Sequence, residues 1–506
     1  VEVEVETEYG VVGGLARDGV VVFPEIPYAE SPTGARRFQP PVPPAPWGGV
    51  RRSGFERMAY GVKRDTGSRR SFLRETEDCV FLHVWTPDSG SHDHPVMVWV
   101  HGGGFGEGAA FDPATDGARL AREQGVVVVA VSHRLHVLGF LSLAGVAPDT
   151  HPDANAGLMD LIAALRWIRR NIASFGGDPD SVTLFGESGG GWKISTLLAM
   201  PAGRGLFARA IIQSGSHLRA RTAEDADGAA RRLLHRLGVA TSQIHRVRDL
   251  PVERILEAGS ETRSPSEPVR IGPDGTWEWG VEFGPALDGR TLSRHPGVPD
   301  APAEASGIAM MIGTTLDEIG PELDGLDDVS VPEAKARAEL LGMRAETVDR
   351  LVEIYSREKP AMTGNDVFAE LRNDALFHYP AILQAEAKIA QGEGDVFMYR
   401  FDRRRPGHRA AHGGEIRFVF GNIDAELAGA PGDASVRVLS GQMMAAWAAF
   451  ARTGDPNGGT LPRWEPYTTA DRPVMIFDEH SRPENDPRRE RRKVFAALSD
   501  GEDARE

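Results

Sequence analysis

The chain has 506 residues, of which 41% are hydrophobic and 26% charged, and a formal net charge of −16. That length supports one large core or two to three ordinary ones. The acidic balance argues against nucleic acid and anionic membrane as partners, since both need a basic surface. Its single cysteine, Cys79, excludes an internal disulfide and a cysteine-rich zinc site, and no apolar run is long enough to cross a membrane.

The N-terminal run VEVEVETEYG alternates strictly, as a strand with one wet face does. Residues 24–50 are rich in Pro and Gly and read as loops. PVMVWV, ending at Val100, is a buried strand that runs into HGGGFGEG, and GVVVVAVS at 125–132 is a second. Leu158, Leu161, Ile162, Leu165, Ile168 and Ile172 recur at helical spacing, so 158–172 is an amphipathic helix. SVTLF then reads as a strand and GGWKISTLLAM as a helix. ARAIIQS, IAMMIGT, DVFMYRF and PVMIFDE are further strand-sized apolar runs. Strands alternating with helices predict an α/β fold with a large, mostly parallel sheet covered on both faces. Residues 217–280 and 320–392 have helical patterns and read as excursions from a single domain over 1–480, and 481–506 as a charged C-terminal tail.

SVTLFGESGGGW places Ser188 between Gly186 and Gly190 at G-x-S-x-G spacing. Small residues two before and two after a serine suit a sharp strand-to-helix turn that lifts its hydroxyl outward. A serine hydroxyl is a poor nucleophile unless a histidine takes its proton and an acid orients that histidine. In an open α/β sheet these groups sit on loops beyond the strand ends. An acid is offered after IAMMIGTT by Asp317 or Glu318, and a histidine after DVFMYRF by His408 or His412. The glycines after PVMVWV offer backbone N–H groups for an oxyanion, and HGGGF completes neither G-x-G-x-x-G nor a P-loop.

Together with IPYA, GARRFQPP, EDCVFLHVWTP, RLHVLGFL, NAGLMDLIAALRWIRRNIASFGGDP, IIQSG, GTTLDE, HGGEIRFVFGN and ARTGDPN, these motifs resemble the type B carboxylesterases, from about residue 9 to 478. The bacterial p-nitrobenzyl esterases are nearest in pattern. The resemblance implies an α/β-hydrolase fold and a serine carboxylic ester hydrolase acting through an acyl-enzyme, without cofactor or metal. It implies Ser188 as nucleophile, Glu318 as triad acid and His412 as base, with oxyanion donors at Gly103, Gly104 and Gly189. Glu187 and Ser214 are implied beside the triad, and Phe105 and Trp192 are the candidate pocket residues. Arg37 with Glu77, and Arg134 with Asp160, resemble the family's structural ion pairs.

Two departures matter. Gly189 stands where the family usually has alanine. The stretch 56–78 holds no Trp, where cholinesterases place the aromatic platform for choline. The expected substrates are therefore small to medium, mostly neutral esters. Amides, carbamates or lactones handled by the same machinery are the alternative, and a non-catalytic cholinesterase-like interaction protein is a more remote one. Further expectations are a small-molecule ester substrate with no nucleic-acid or membrane partner, a monomer or small homo-oligomer, and a bacterial cytoplasmic location, or secretion with a signal peptide already removed. A histidine base beside one carboxylate predicts an acid limb in the rate profile at about pH 6–7.

Overall fold

The computed structural model describes residues 1–61, 73–88, 90–147, 153–261, 270–271, 277–278, 282–320, 329–404, 408–423 and 434–499. The strands of the main sheet are β1 Glu2–Thr7, β2 Gly10–Arg17, β3 Val20–Pro27, β4 Val50–Arg51, β5 Phe81–Pro87, β6 His94–Val100, β7 Val127–Val131, β8 Gly177–Glu187, β9 Arg209–Gln213, β10 Ala309–Thr315, β11 Val396–Phe401, β12 Pro473–Phe477 and β13 Arg482–Asn485. Their order is β1-β2-β3-β5-β7-β6-β8-β9-β10-β11-β12-β13, with β4 paired to β2. The run from β7 to β12 is parallel and both flanks are antiparallel. This is the α/β-hydrolase fold.

Side chains alternate across a strand, so each central strand feeds two cores. Val96, Val98 and Val100 pack on one face with Leu158, Leu161, Ile162, Leu165 and Ile168 of α1 (Ala156–Asn171). Met97 and Trp99 pack on the other with Met443, Trp447 and Phe450 of a helix at Ala434–Thr453. Because both faces are covered, the strands read in sequence as continuous apolar runs. Chain crossovers after β6, β8, β10 and β11 bring HGGGF, the Ser188 turn, the Glu318 loop and the His412 loop to the carboxyl edge of the sheet.

The helix after β8 is α2 (Gly189–Leu197). Between β9 and β10 the chain forms α3 (Ala223–Leu237) and α4 (Val252–Glu261). Between β10 and β11 it forms α5 (Val331–Leu340), α6 (Ala345–Glu358), α7 (Gly364–Asn373), a π-helical turn at Asp374–His378, and α8 (Tyr379–Ala390). The helix at Ala434–Thr453 is α9, and α10 spans Arg489–Ser499.

Residues 482–499 are thus not a loose tail. β13 closes the sheet edge, and Val494 and Phe495 of α10 are buried in a third core with Tyr355, Val367 and Leu371. The charges that make this segment look solvated are used inward. Arg491 meets Glu370 at 2.5 Å, Asp374 at 3.2 Å and Glu358 at 2.5 Å, and Arg488 meets Asp374 at 2.7 Å. Burial opposes charge on Glu370 and Asp374. The arginines outweigh it, holding Glu370 down at about 2 and Asp374 well below the usual carboxylate range.

Removing Arg491 leaves Glu370 and Asp374 buried with less compensating charge, Asp374 keeping Arg488 and Glu370 keeping Lys359. Arg491→Met is expected to lower stability by about 3–5 kcal/mol in urea denaturation. The depressed carboxyls add stability above their unfolded values near 4, and that contribution is lost as pH falls from about 4 toward 2. The variant's deficit should shrink over that window.

Candidate active site

Ser188 joins β8 to α2 with φ 54° and ψ −122°. This backbone costs a non-glycine residue about 1–3 kcal/mol and persists only where the surroundings enforce it. Its N–H donates to Gln213 O at 2.8 Å and its carbonyl accepts from Trp192 N–H at 3.0 Å. The flanking glycines are required by contact. A Cβ on Gly186 would lie 2.6 Å from Val100 O, and one on Gly190 would run into the same carbonyl.

The paired candidates separate cleanly. Glu318 is fully buried, and its Oε2 lies 2.6 Å from His412 Nδ1. Its Oε1 accepts from Ser214 Oγ at 2.7 Å and from Thr315 N–H at 2.8 Å. Burial pushes this carboxyl up, but the bonds from His412 and Ser214 hold it below its ordinary value. Asp317, one residue earlier, faces the other way and takes a bidentate pair from Arg404 at 2.5 and 2.7 Å. His408 is exposed and lines an open cleft of about 650 Å³ with Asp317, Lys359 and Arg404.

The other nitrogen of His412 holds a surprise. Nε2 lies 3.1 Å from Glu187 Oε1, and among the described residues the Ser188 hydroxyl forms no hydrogen bond. The imidazole therefore bridges two carboxylates. Burial disfavours its charge, yet Glu187 and Glu318 overcome that and push it up to about 10. Glu187 is itself raised by burial, with His412 pulling it back, so the protons belong to the cluster as a whole. Glu318, its shorter partner, is held below its ordinary value by the same contact, and the pair favours the imidazolium.

The sequence expectation of a limb near pH 6–7 rests on one neighbouring carboxylate, and the geometry supplies two. A raised value keeps His412 protonated to higher pH, so kcat/KM on a neutral ester should still be rising above about pH 7. Glu187→Gln should move the limb to lower pH in a profile taken from about pH 5 to 10. An unmoved limb would remove Glu187 from this role.

Gly103 and Gly104 have φ of 87° and 59°, and Gly189 opens α2. Their N–H groups meet no protein acceptor among the described residues. A Cβ on Gly189 would collide with the backbone N, Cα and O of Gly104. The glycine found at this position thus lets the two donor segments approach each other. Trp192 flanks them, its Cζ3 within 3.4 Å of where a Gly104 Cβ would sit. Its ring lies 5.7 Å from Phe105 and 6.2 Å from His217. His217 is held neutral by burial, pushed down to about 3, and meets Thr196 Oγ1 at 3.1 Å. The wall beside the glycine loop is therefore aromatic and uncharged.

The two ion-pair expectations hold in space. Arg37 and Glu77 form bidentate bonds of 2.7 and 2.6 Å, and Arg134 and Asp160 form bonds of 2.8 and 2.7 Å. Three nearby groups were not singled out from the sequence. Glu415 is fully buried, accepts from Gln213 Nε2 at 3.2 Å, and is pushed up to about 8 by burial and by Glu187 and Glu318. Its position three after His412 was the available signal. Phe377 of the π-helical turn packs its ring 5.0 Å from that of His412. Lys193 is the third. Among the described residues no group of His, Cys, Asp and Glu is arranged to hold a metal ion.

A strained serine on a strand-to-helix turn, an acid–histidine pair beyond the next strands and free amides at a glycine loop define the class of α/β-hydrolase-fold serine hydrolases. A family model described as "Carboxylesterase family" matches residues 1–495. The chain is 37% identical over 503 residues to a para-nitrobenzyl esterase of Bacillus subtilis (strain 168), covering 97% of this chain and 98% of that one. A solved structure of a PNB esterase superposes with a TM-score of 0.85 at 36% identity, over 97% of this chain and 99% of that one. A carboxylesterase of Geobacillus stearothermophilus gives 0.82 at 35% identity, with the same coverage of 97% and 99%. The chain belongs to the type B carboxylesterase family and is a serine carboxylic ester hydrolase. No helix among the described residues is long and apolar enough to cross a membrane.

Proposed function

We propose that Ser188 is the nucleophile, His412 the general base and Glu318 the acid that orients it, with the N–H groups of Gly103, Gly104 and Gly189 as the oxyanion hole. The observation that carries this reading is the 2.6 Å bond from His412 Nδ1 to Glu318 beside the strained Ser188 turn. Glu187 and Ser188 are adjacent in the chain, so Nε2 can exchange Glu187 for the Ser188 hydroxyl while Nδ1 stays anchored. Nε2 then takes the hydroxyl proton as Oγ attacks the ester carbonyl. The carbonyl oxygen, now an anion, is received by the free amides. Collapse breaks the ester C–O bond and His412 protonates the departing alcohol. Water, deprotonated by the same nitrogen, releases the acid from the acyl-enzyme. Ser214 and the Thr315 amide hold Glu318 in place throughout.

The substrates are small to medium neutral esters. Phe105, Trp192 and neutral His217 form a wall that favours apolar groups, and no Trp in 56–78 supplies a cation platform. Such a platform is worth about 0.5–2 kcal/mol to a quaternary ammonium. p-Nitrophenyl butyrate is therefore expected to exceed butyrylcholine by at least about tenfold in kcat/KM, or about 1.4 kcal/mol. Measuring at two salt concentrations separates long-range attraction by the acidic protein from fitted contacts. Equal values at both would show that another group holds the cation. Fluorophosphonate labelling followed by peptide mapping tests the nucleophile itself, and a label away from Ser188 would refute the assignment.

A further inference from the structure

We propose that Lys193 is a positioning residue for the oxyanion hole, its Nζ tying α2 to the root of the glycine loop through the His101 carbonyl. The inference rests on the reading of Ser188 and its amide donors given above. Lys193 lies on α2, five residues beyond Ser188, and has no exposure to solvent. Its Nζ donates to His101 O at 3.0 Å. His101 is the first residue after β6, and Gly102, Gly103 and Gly104 follow it directly.

The proposed donors come from two separate elements. Gly189 is carried by α2, and Gly103 and Gly104 by the loop after β6. Their spacing is fixed only as well as those elements are fixed to each other. Lys193 crosses between them. On its far side His101 is held flat, its ring stacked on His133 with centroids 4.8 Å apart and planes 3° from parallel. On the near side, a Cβ on Gly102 would lie 2.8 Å from Glu187 Oε2, so the loop also rests against the carboxylate beside the nucleophile.

A buried amine is an expensive way to fill space, since a chain that needs only volume at this position gains more from an apolar side chain. Burial pushes Lys193 down to about 7, while Glu187 opposes that fall. Among the described residues its one direct acceptor is the His101 carbonyl. Loss of the amine would leave that carbonyl buried without this donor and release the loop from α2. Misplacing catalytic groups by about 1 Å costs about 10²-fold in rate.

The test compares binding of an aryl trifluoromethyl ketone, which mimics the tetrahedral adduct, with KM for the matching ester. In Lys193→Met the ketone Ki is expected to rise at least tenfold and kcat to fall in step, while KM changes less than threefold. Lys193→Arg, which retains a long donor, is expected to recover much of both. Thermal melts check folding. If the methionine variant does not fold, Lys193→Leu, which also lacks a donor, is judged by the same ratio. An unchanged ratio of ketone Ki to KM in whichever of these two variants folds, or loss that Lys193→Arg does not restore, overturns the proposal. A ketone that wild type fails to bind, or that Ser188→Ala binds equally, overturns the Ser188 reading and the Lys193 role with it. Tight binding by wild type, lost in Ser188→Ala but kept in Lys193→Met, overturns only the latter.

Discussion

Ser188→Ala is expected to fold normally, lose fluorophosphonate labelling and lose ester hydrolysis by about 10⁴–10⁶ in kcat. The folded state loses only a hydroxyl that has no hydrogen bond among the described residues, and alanine fits the same turn. Chemistry loses its nucleophile, and what remains comes from the free amides and substrate binding. A melting temperature close to wild type together with collapsed turnover is the required combination. Activity within tenfold of wild type would refute the nucleophile assignment.

The second large effect discriminates between neighbouring residues. His412→Ala should abolish hydrolysis, and Glu318→Gln should cost about 10⁴ in kcat. Glu318 accepts from Ser214, Thr315 and His412, so it holds Nδ1 as the donor and leaves Nε2 to accept the serine proton once it has exchanged Glu187 for the hydroxyl. A glutamine can present its NH₂ to Nδ1, and the imidazole then takes the wrong tautomer. Asp317→Asn and His408→Ala should stay within about tenfold of wild type. Asp317 is engaged by Arg404 and the Ala410 amide, and His408 is exposed in the neighbouring cleft. Steady-state kinetics on one p-nitrophenyl ester checks all four. A reversed ranking in either pair would place the acid or the base one motif position away.

Residue type alone does not separate these pairs; the family resemblance favours Glu318 and His412, and the tertiary structure supplies the physical reason. Adjacent residues at a strand end point in opposite directions, so one step along the chain decides which carboxylate enters the site. Sequence offers both Asp317 and Glu318, and physical chemistry at the level of residue type cannot prefer either. The contact of His412 with Glu187 is likewise invisible in one dimension. It joins positions 225 residues apart, and it holds the imidazole of the proposed base between two carboxylates. The C-terminal segment misled for a related reason. Composition counts Arg488 and Arg491 as solvated charge, but α6, α7 and the π-helical turn supply the carboxylates that bury them. Residue type hides the role of Lys193, because a lysine is ordinarily exposed, whereas all of α2 is buried.

What the sequence determined by itself is what depends on local sterics and period. Continuous apolar runs between helices required a parallel sheet covered on both faces, because only burial on both sides removes the polar half of the alternation. Gly186, Ser188 and Gly190 pointed to a tight turn, because larger side chains two before and two after the serine would collide across the bend. HGGGF after a strand required amides without partners, because glycines at positive φ leave the helix and sheet ladders. The tertiary structure decided what depends on distance between remote segments. That comprises which acid meets which histidine, where protons reside among Glu187, His412 and Glu415, and whether a charge faces water or another charge. Electrostatic energy is set by separation and burial in three dimensions, and neither is fixed until the crossovers bring the strand ends together.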